Sequence, residues 1–351
     1  MKKILILSNG HGEDLVAADL IMKLPRELEV DVFPLVGKGE TFKDLPVKVI
    51  GTRKVFPSGG FSMRNIFALP SDILSGYFQN LYEQWTILKN CRGKYDLAVG
   101  IGDLVPLYAA SIIGCPFIFI GVNKTDHYSS FGSSYTPWEK LILKKAMMVF
   151  TRDKLTANSL SKSGINARYE GNPLMDCIGV PSAETIDEKQ LVVGFLPGTR
   201  EKDIPLNIQD FQLIARELKI LDQHFEFIIA TKAETPPEFV KLPFANILSE
   251  SDVIIGLSGT GNEQAAGMGK PVVAFTGRGS QYTKRFAKAQ HELLGEALNL
   301  TERNPKIIAE AVYSIINDHM RYEYMSHAGR ERMGEPGADD KIALYIKGIL
   351  K

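Results

Sequence analysis

The chain has 351 residues, long for one ordinary α/β domain and suited to two, each with its own core. Its 41 basic and 41 acidic residues cancel, which argues against nucleic acid as the main partner. An apolar share of 44% and a mean hydropathy of -0.05 describe a soluble chain, and Cys91, Cys115 and Cys177 form no CxxC pair, so a reducing compartment is expected.

Lys2 and Lys3 precede only the short apolar run Ile4–Leu7, which ends at Ser8 and Asn9. That pattern is a first β-strand rather than a secretion signal. No stretch approaches the ~18 apolar residues of a membrane-spanning helix, so the expected location is the cytoplasm. Further strand-like runs follow at Val30–Val36, Val47–Ile50, Leu97–Ile101, Phe117–Val122 and Met147–Thr151. A second series comprises Leu191–Leu196, Phe225–Ala230, Val253–Leu257 and Val272–Phe275, with helical segments between the strands. This alternation predicts two doubly wound, Rossmann-like α/β domains of parallel strands, with the cleft between them as the expected site. The predicted organisation is an N-terminal Rossmann-like domain over 1–175, a linker over 176–190, and a C-terminal Rossmann-like domain over 191–330. A last helix over 331–351, after a Pro-Gly break, is expected to cross back to the first domain.

Taken in chain order, the strand-to-helix loops carry the candidate chemistry. SNGHGEDL, residues 8–15, has two glycines but also Glu13 and Asp14 at a helix start, which suit the helix dipole and repel a pyrophosphate. His11 has the neutral-range pKa of a general base. Residues 55–85 join a loop bearing Phe56, Phe61, Met63 and Phe67 to a helix displaying Ile73, Leu74, Tyr77, Phe78 and Leu81. The helix residues read as core, and the loop at 56–67 as a contact with the cytoplasmic face of a membrane. Asp103 stands just past a buried strand, where a carboxylate either takes a proton from an attacking hydroxyl or caps the next helix. His11, Glu13 and Asp103 are the candidate catalytic residues. The polar, aromatic segment 123–138 is a candidate acceptor wall or lid.

In the second series, LPGTREKD at 196–203 offers Gly198 and Thr199 for close backbone approach and Arg200 for a bidentate grip on phosphate oxygens. DVIIGLSGTGNEQAAGMGKPVVAF, residues 252–275, reads as strand, glycine turn, helix and strand. Ser258, Gly259 and Thr260 would present backbone N–H groups to an anion, and Glu263 or Gln264 would reach ribose hydroxyls. GRGSQYTKRF, residues 277–286, adds Gln281 at a third loop. Three such loops at strand ends of one domain describe a phosphate-and-ribose pocket. No Asp-x-Asp and no His/Cys cluster has metal-ligand spacing, so neither a metal nor a resident cofactor is expected.

These motifs resemble lipid-A-disaccharide synthase, within the two-domain glycosyltransferases of GT-B type. LPGTR (196–200) stands for the family's LPGSR, GNPLMD (171–176) for its G-x-P-L-x-D, SGTGNEQAAGMGKP (258–271) for its SGT…E…P, and SNGHGEDL lies near its glycine-acidic first loop. The resemblance implies a UDP-sugar donor held by the C-terminal domain and a lipid or lipid-linked acceptor held by the N-terminal one. The acceptor hydroxyl would attack the anomeric carbon while Arg200 and a helix dipole steady the departing diphosphate, without metal. The sequence also departs from the pattern: Thr199 replaces a serine, Gln264 falls where a glutamate is expected with Glu263 beside it, Gly102 intervenes before Asp103, and His11 has no counterpart. With Gly-x-Gly-x-Gln-x-Thr at 277–283, these features mark a divergent branch rather than the synthase itself. Two alternatives share the architecture: a UDP-sugar 2-epimerase, which needs no acceptor, and a non-catalytic nucleotide-sugar-binding protein.

Overall fold

The computed structural model of the chain describes residues 2–37, 39–51, 77–128, 133–182 and 191–351. They divide into unit 1, Met1–Cys177 with Pro336–Lys351, and unit 2, Ile178–Glu335. The aromatic loop at 56–67 and most of the linker at 176–190 lie outside the described residues.

Among the described residues, unit 1 builds a seven-stranded, wholly parallel sheet. Its elements in chain order are β1 (Lys3–Ser8), α1 (His11–Lys23), β2 (Glu29–Pro34), β3 (Lys48–Val49), α2 (Tyr77–Asn90), β4 (Leu97–Gly102) and α3 (Leu104–Ile112). They continue with β5 (Phe117–Gly121), α4 (Pro137–Leu143), β6 (Met148–Thr151), α5 (Lys154–Lys162), β7 (Ala167–Arg168) and α6 (Pro173–Asp176). The strand order is β3-β2-β1-β4-β5-β6-β7. A parallel sheet is covered on both faces, which is why its strands read as continuous apolar runs. In β1, Ile4 and Ile6 pack into one cluster with Val16, Leu20 and Val32, while Leu5 and Leu7 pack into the opposite one with Phe33, Leu107 and Phe119. Each fully buried aliphatic chain is worth about 1.5–3 kcal/mol of apolar transfer.

Unit 2 repeats the scheme. Its elements are β8 (Leu191–Leu196), α7 (Ile204–Leu221), β9 (Phe225–Ile229), β10 (Phe239–Lys241), α8 (Phe244–Glu250), β11 (Val253–Gly256), α9 (Thr260–Gly267) and β12 (Val272–Phe275). They are followed by α10 (Lys284–Leu294), β13 (Leu298–Thr301), α11 (Pro305–Asn317) and α12 (His319–Met333). The described strands form a parallel sheet in the order β10-β9-β8-β11-β12-β13. Phe195 anchors an aromatic core, with ring centroids 5.0 Å from Phe211, 5.9 Å from Phe227 and 5.1 Å from Phe239. The tilted and edge-on geometries are those aromatic pairs prefer. Helix α12 runs to Met333, past the expected boundary at 330.

Helix α13 (Ala338–Ile349) packs in unit 1, where Ala338, Ile342, Ala343 and Ile346 join the core beside α1. The GNPLMD motif is part of that attachment. Asn172 caps α6, its side chain accepting from Leu174 N, and Asp176 accepts from the backbone N–H groups of Gly337 and Asp339 (3.0 Å for the latter). Asp176, the first residue of the predicted linker, thus holds the returning helix by its first turn.

Candidate functional site

In unit 1 the loops at the C-terminal ends of β1, β4 and β5 carry the candidate groups, the edge where open α/β sheets place ligands. Asp103 caps α3: its Oδ1 accepts from Val105 N at 3.1 Å and from Asn9 Nδ2 at 3.1 Å. Asp103 is thus a helix cap, close enough to Glu13 for its charge to act on that carboxyl. Gly102 has φ +132°, and a methyl group on it would lie 3.1 Å from Glu13 Cγ. The glycine that intervenes before Asp103 makes room for the Glu13 side chain.

Glu13 Oε1 accepts a hydrogen bond from Asn123 Nδ2, the first polar residue after β5. Burial pushes the Glu13 carboxyl up to about 7; the Asn123 bond opposes this, and the nearby charges of Asp103 and Asp14 add to it. Asp14 is buried and accepts from Ser8 Oγ at 2.5 Å, facing inward as a structural carboxylate. Helix α1 begins at His11, whose side chain lies outside the described residues. Of the three candidate catalytic residues, Glu13 and Asp103 come together, and Glu13 is the one with its proton held near neutral pH.

In unit 2 all three glycine loops meet. Leu257 N donates to Leu196 O (2.9 Å), joining the loop after β8 to the loop after β11. Gly198, at φ +82°, adopts a conformation that favours glycine, and a methyl group on it would lie 2.5 Å from Gln281 Oε1. That amide oxygen accepts from Thr199 N and Arg200 N, each at 3.1 Å. Arg200 reaches across to Ser280 Oγ at 2.8 Å. Asp203, buried before α7, holds the third loop through Gln281 N at 2.7 Å. By contrast, Arg278 is committed to Asp210 and to Leu206 O on α7.

The turn over 258–261 is clamped from beneath. Gln290 on α10 donates Nε2 to Ser258 O (3.3 Å) and Gly259 O (2.8 Å). Asn262 Nδ2 lies 3.0 Å from Gly256 O and 2.9 Å from Gln290 Oε1, and Tyr282 Oη donates to that same Gln290 oxygen at 2.6 Å. Ser258 Oγ accepts from Gly261 N at 3.3 Å. With their carbonyls tied down, Ser258 and Gly259 keep the turn in one conformation. At the start of α9, Gln264 is buried at 5% exposure while Glu263 is partly exposed, so Glu263 is the accessible one of the two residues considered for a ribose contact.

No family model and no curated protein matches the chain. Solved structures do match across its whole length. The S. aureus MnaA–UDP co-structure matches with a TM-score of 0.63 at 17% identity, covering 100% of this chain and 97% of that one. CalG4, the calicheamicin glycosyltransferase, matches with a TM-score of 0.67 at 15% identity over 100% of both chains. A putative UDP-N-acetylglucosamine 2-epimerase from Listeria monocytogenes matches with a TM-score of 0.64 at 15% identity, covering 100% of this chain and 97% of that one. The fold is of the GT-B type. This likeness reaches the architecture shared by UDP-sugar 2-epimerases and glycosyltransferases, a wider class than the lipid-A-disaccharide synthase relatives that the motifs resemble.

Within this GT-B chain the residues that the sequence does not reveal are Asn9, Asn123, Asp203, Asn262, Tyr282 and Gln290. Each is polar and buried or partly buried, and acts on a partner distant in sequence. Asn262 was the one within reach, because it sits inside the turn motif itself. Among the described residues no helix is long and apolar enough to cross a membrane.

Proposed function

We propose that the chain is a UDP-sugar enzyme in which unit 2 binds the nucleotide and unit 1 supplies the proton chemistry, and that it transfers the sugar to an acceptor with an apolar part. The observation that carries the reading is Glu13, a carboxyl held near pKa 7 beside Asp103 and oriented by Asn123. A general base works best when its pKa lies close to the operating pH. Glu13 takes the proton from the acceptor hydroxyl, whose oxygen bonds to the anomeric carbon as the bond to the diphosphate breaks. Charge then collects on the departing UDP, where Arg200 and the N–H groups of the 198–200 loop receive it. Glu263 takes the ribose hydroxyls.

The apolar acceptor is supported by exposed side chains on the helix that Asp103 caps and on the helix packed against it. Leu104, Val105 and Tyr108 of α3 are exposed, and α4, which packs on α3, exposes Trp138 (77%) and Leu141 (55%) next to Lys144 and Lys145. Large aromatic and aliphatic side chains rimmed by lysine suit a lipid-linked molecule with an anionic headgroup.

A second reading, UDP-sugar 2-epimerisation, is favoured by the fold neighbours, several of which are such epimerases. It uses the same nucleotide pocket and moves a proton on the sugar itself. One assay separates the two. The protein is incubated with a panel of UDP-sugars, with and without total lipid extract, and both UDP release and the sugar's configuration are followed. UDP release that depends on lipid, with a new glycolipid by mass spectrometry, is the expected outcome. Interconversion of UDP-sugar epimers without lipid would overturn transfer in favour of epimerisation, and UDP-sugar binding with neither reaction would leave a non-catalytic binding protein.

A further inference from the structure

Two consecutive backbone N–H groups, those of Thr199 and Arg200, converge on a single oxygen, Oε1 of Gln281. Successive amides aimed at one point form a concavity for an anion. Here that point is filled by a neutral amide oxygen from the protein itself. The Arg200 guanidinium stands beside it, held at Ser280 Oγ. Gly198 has no side chain where one would collide with the Gln281 amide, so the loop admits an oxygen at close range.

From this we infer that Gln281 is the resident occupant of the diphosphate subsite, an internal stand-in that the ligand must displace. The inference rests on the reading of the 198–200 loop as a diphosphate-binding loop. When the subsite is empty, Gln281 satisfies the two amides at an exposed edge of the loop and holds them aimed at one point. When a phosphate oxygen arrives, it takes over both N–H bonds with a full charge, and charge-assisted bonds are about twice as strong as neutral ones. Only the side chain has to move. The backbone of residue 281 is fixed by its own bond to Asp203, whose carboxylate also lies 3.4 Å from Ser280 Oγ. Displacement is therefore a rotamer change rather than an opening of the 277–283 loop. It sets the affinity for the diphosphate group and leaves that for the nucleoside unchanged.

Calorimetry with pyrophosphate, UDP and uridine as probes on Gln281→Ala and Gln281→Glu tests this. Gln281→Ala empties the subsite and should tighten pyrophosphate and UDP about three- to tenfold, the worth of the displaced hydrogen bonds, with uridine unchanged. Gln281→Glu keeps the shape but places a competing anion on the same amides and should weaken both at least tenfold, again with uridine unchanged. If Gln281→Ala weakens UDP and pyrophosphate, Gln281 is a ligand contact or a brace and the inference falls while the UDP reading stands. If Gln281→Glu, which preserves the packing, binds UDP as the wild type does, the inference falls as well. If both variants shift pyrophosphate as expected but the wild type prefers UDP no more than pyrophosphate, the stand-in role holds and the uridine reading falls.

Discussion

The two units present the same kind of edge, loops at the ends of parallel strands, and furnish it with opposite chemistry. Unit 1 gathers carboxylates, with Glu13, Asp14 and Asp103 within one loop cluster. Unit 2 ties its turns mainly with neutral amides, Gln281, Asn262 and Gln290, with one buried carboxylate, Asp203, holding the third loop and one arginine, Arg200, at the rim. The difference fits the roles proposed for the two units. A site for a diphosphate needs N–H groups and a cation, and an exposed carboxylate facing it would repel it; Asp203 is buried and directs its charge to the backbone of Gln281. A site that abstracts a proton needs a carboxylate whose own proton is held near neutral pH, which burial and like charges provide. Amides brace a loop without adding charge, which suits the anion site proposed for unit 2, while unit 1 accepts the electrostatic cost of its cluster.

The sharpest way to break this comparison is Glu13→Gln. The amide keeps the shape and cannot accept a proton, so turnover should fall by about 10²–10⁴-fold, the range for a positioned general base. UDP affinity should stay at the wild-type value, because the proposed nucleotide site lies in the other unit. The wild-type rate should rise with pH through about 7 as Glu13 loses its proton, and the variant should lack that rise. Turnover unchanged in the variant would remove Glu13 from the reaction and return attention to Asp103 and His11.

The same contrast explains what could be read before any coordinates. Long buried strands such as Ile4–Leu7 and Val253–Leu257 declare themselves because both faces of a parallel sheet are covered. The edge strands β7, β10 and β13 do not, since they are two to four residues long and carry Arg168, Lys241 and Asn299. At the site, strand-glycine-helix transitions pointed to the loops at 196–200 and 258–261 and to Asp103. Pairings between distant residues stayed hidden: Gln290 supports a turn whose residues precede it by a whole strand and loop, and Asn123 meets Glu13 only because β1 and β5 both flank β4. The attachment made by the GNPLMD motif stayed hidden for the same reason, because its aspartate acts on Gly337 and Asp339, far along the chain.

Arg200→Ala comes next in size and probes the other half of the contrast. Arg200 is the cation beside the amide pair, so its loss should weaken UDP at least tenfold by calorimetry and leave uridine unaffected. Unit 1 should not register the change: the pH at which the rate rises stays near 7. Equal losses for UDP and uridine would mean that Arg200 braces the loop through Ser280 rather than gripping phosphate.

The smallest effect concerns whether unit 1's buried carboxylates are all functional. Asp339, in the first turn of α13, is fully buried near Asp176 and Asp19, with Lys23 the nearest compensating charge and Cys177 beside the group. Burial first, then the charges of Asp176 and Asp19, pushes its carboxyl up to about 9. The folded chain therefore keeps a proton there that the unfolded chain releases near 4, and unit 1 loses stability as pH rises across the window between these values. Asp339→Asn supplies a neutral group at every pH. It should flatten that slope and raise the melting temperature, by a few degrees at pH 8 and by little at pH 5, on the order of 1–3 kcal/mol for a buried polar group. Turnover should be unchanged, because Asp339 attaches a helix and has no part in the loop cluster. Glu13→Gln should also stabilise the fold above pH 5, but with activity lost. A chain in which both substitutions stabilise and only one silences the reaction would separate a carboxylate kept for chemistry from one kept for attachment.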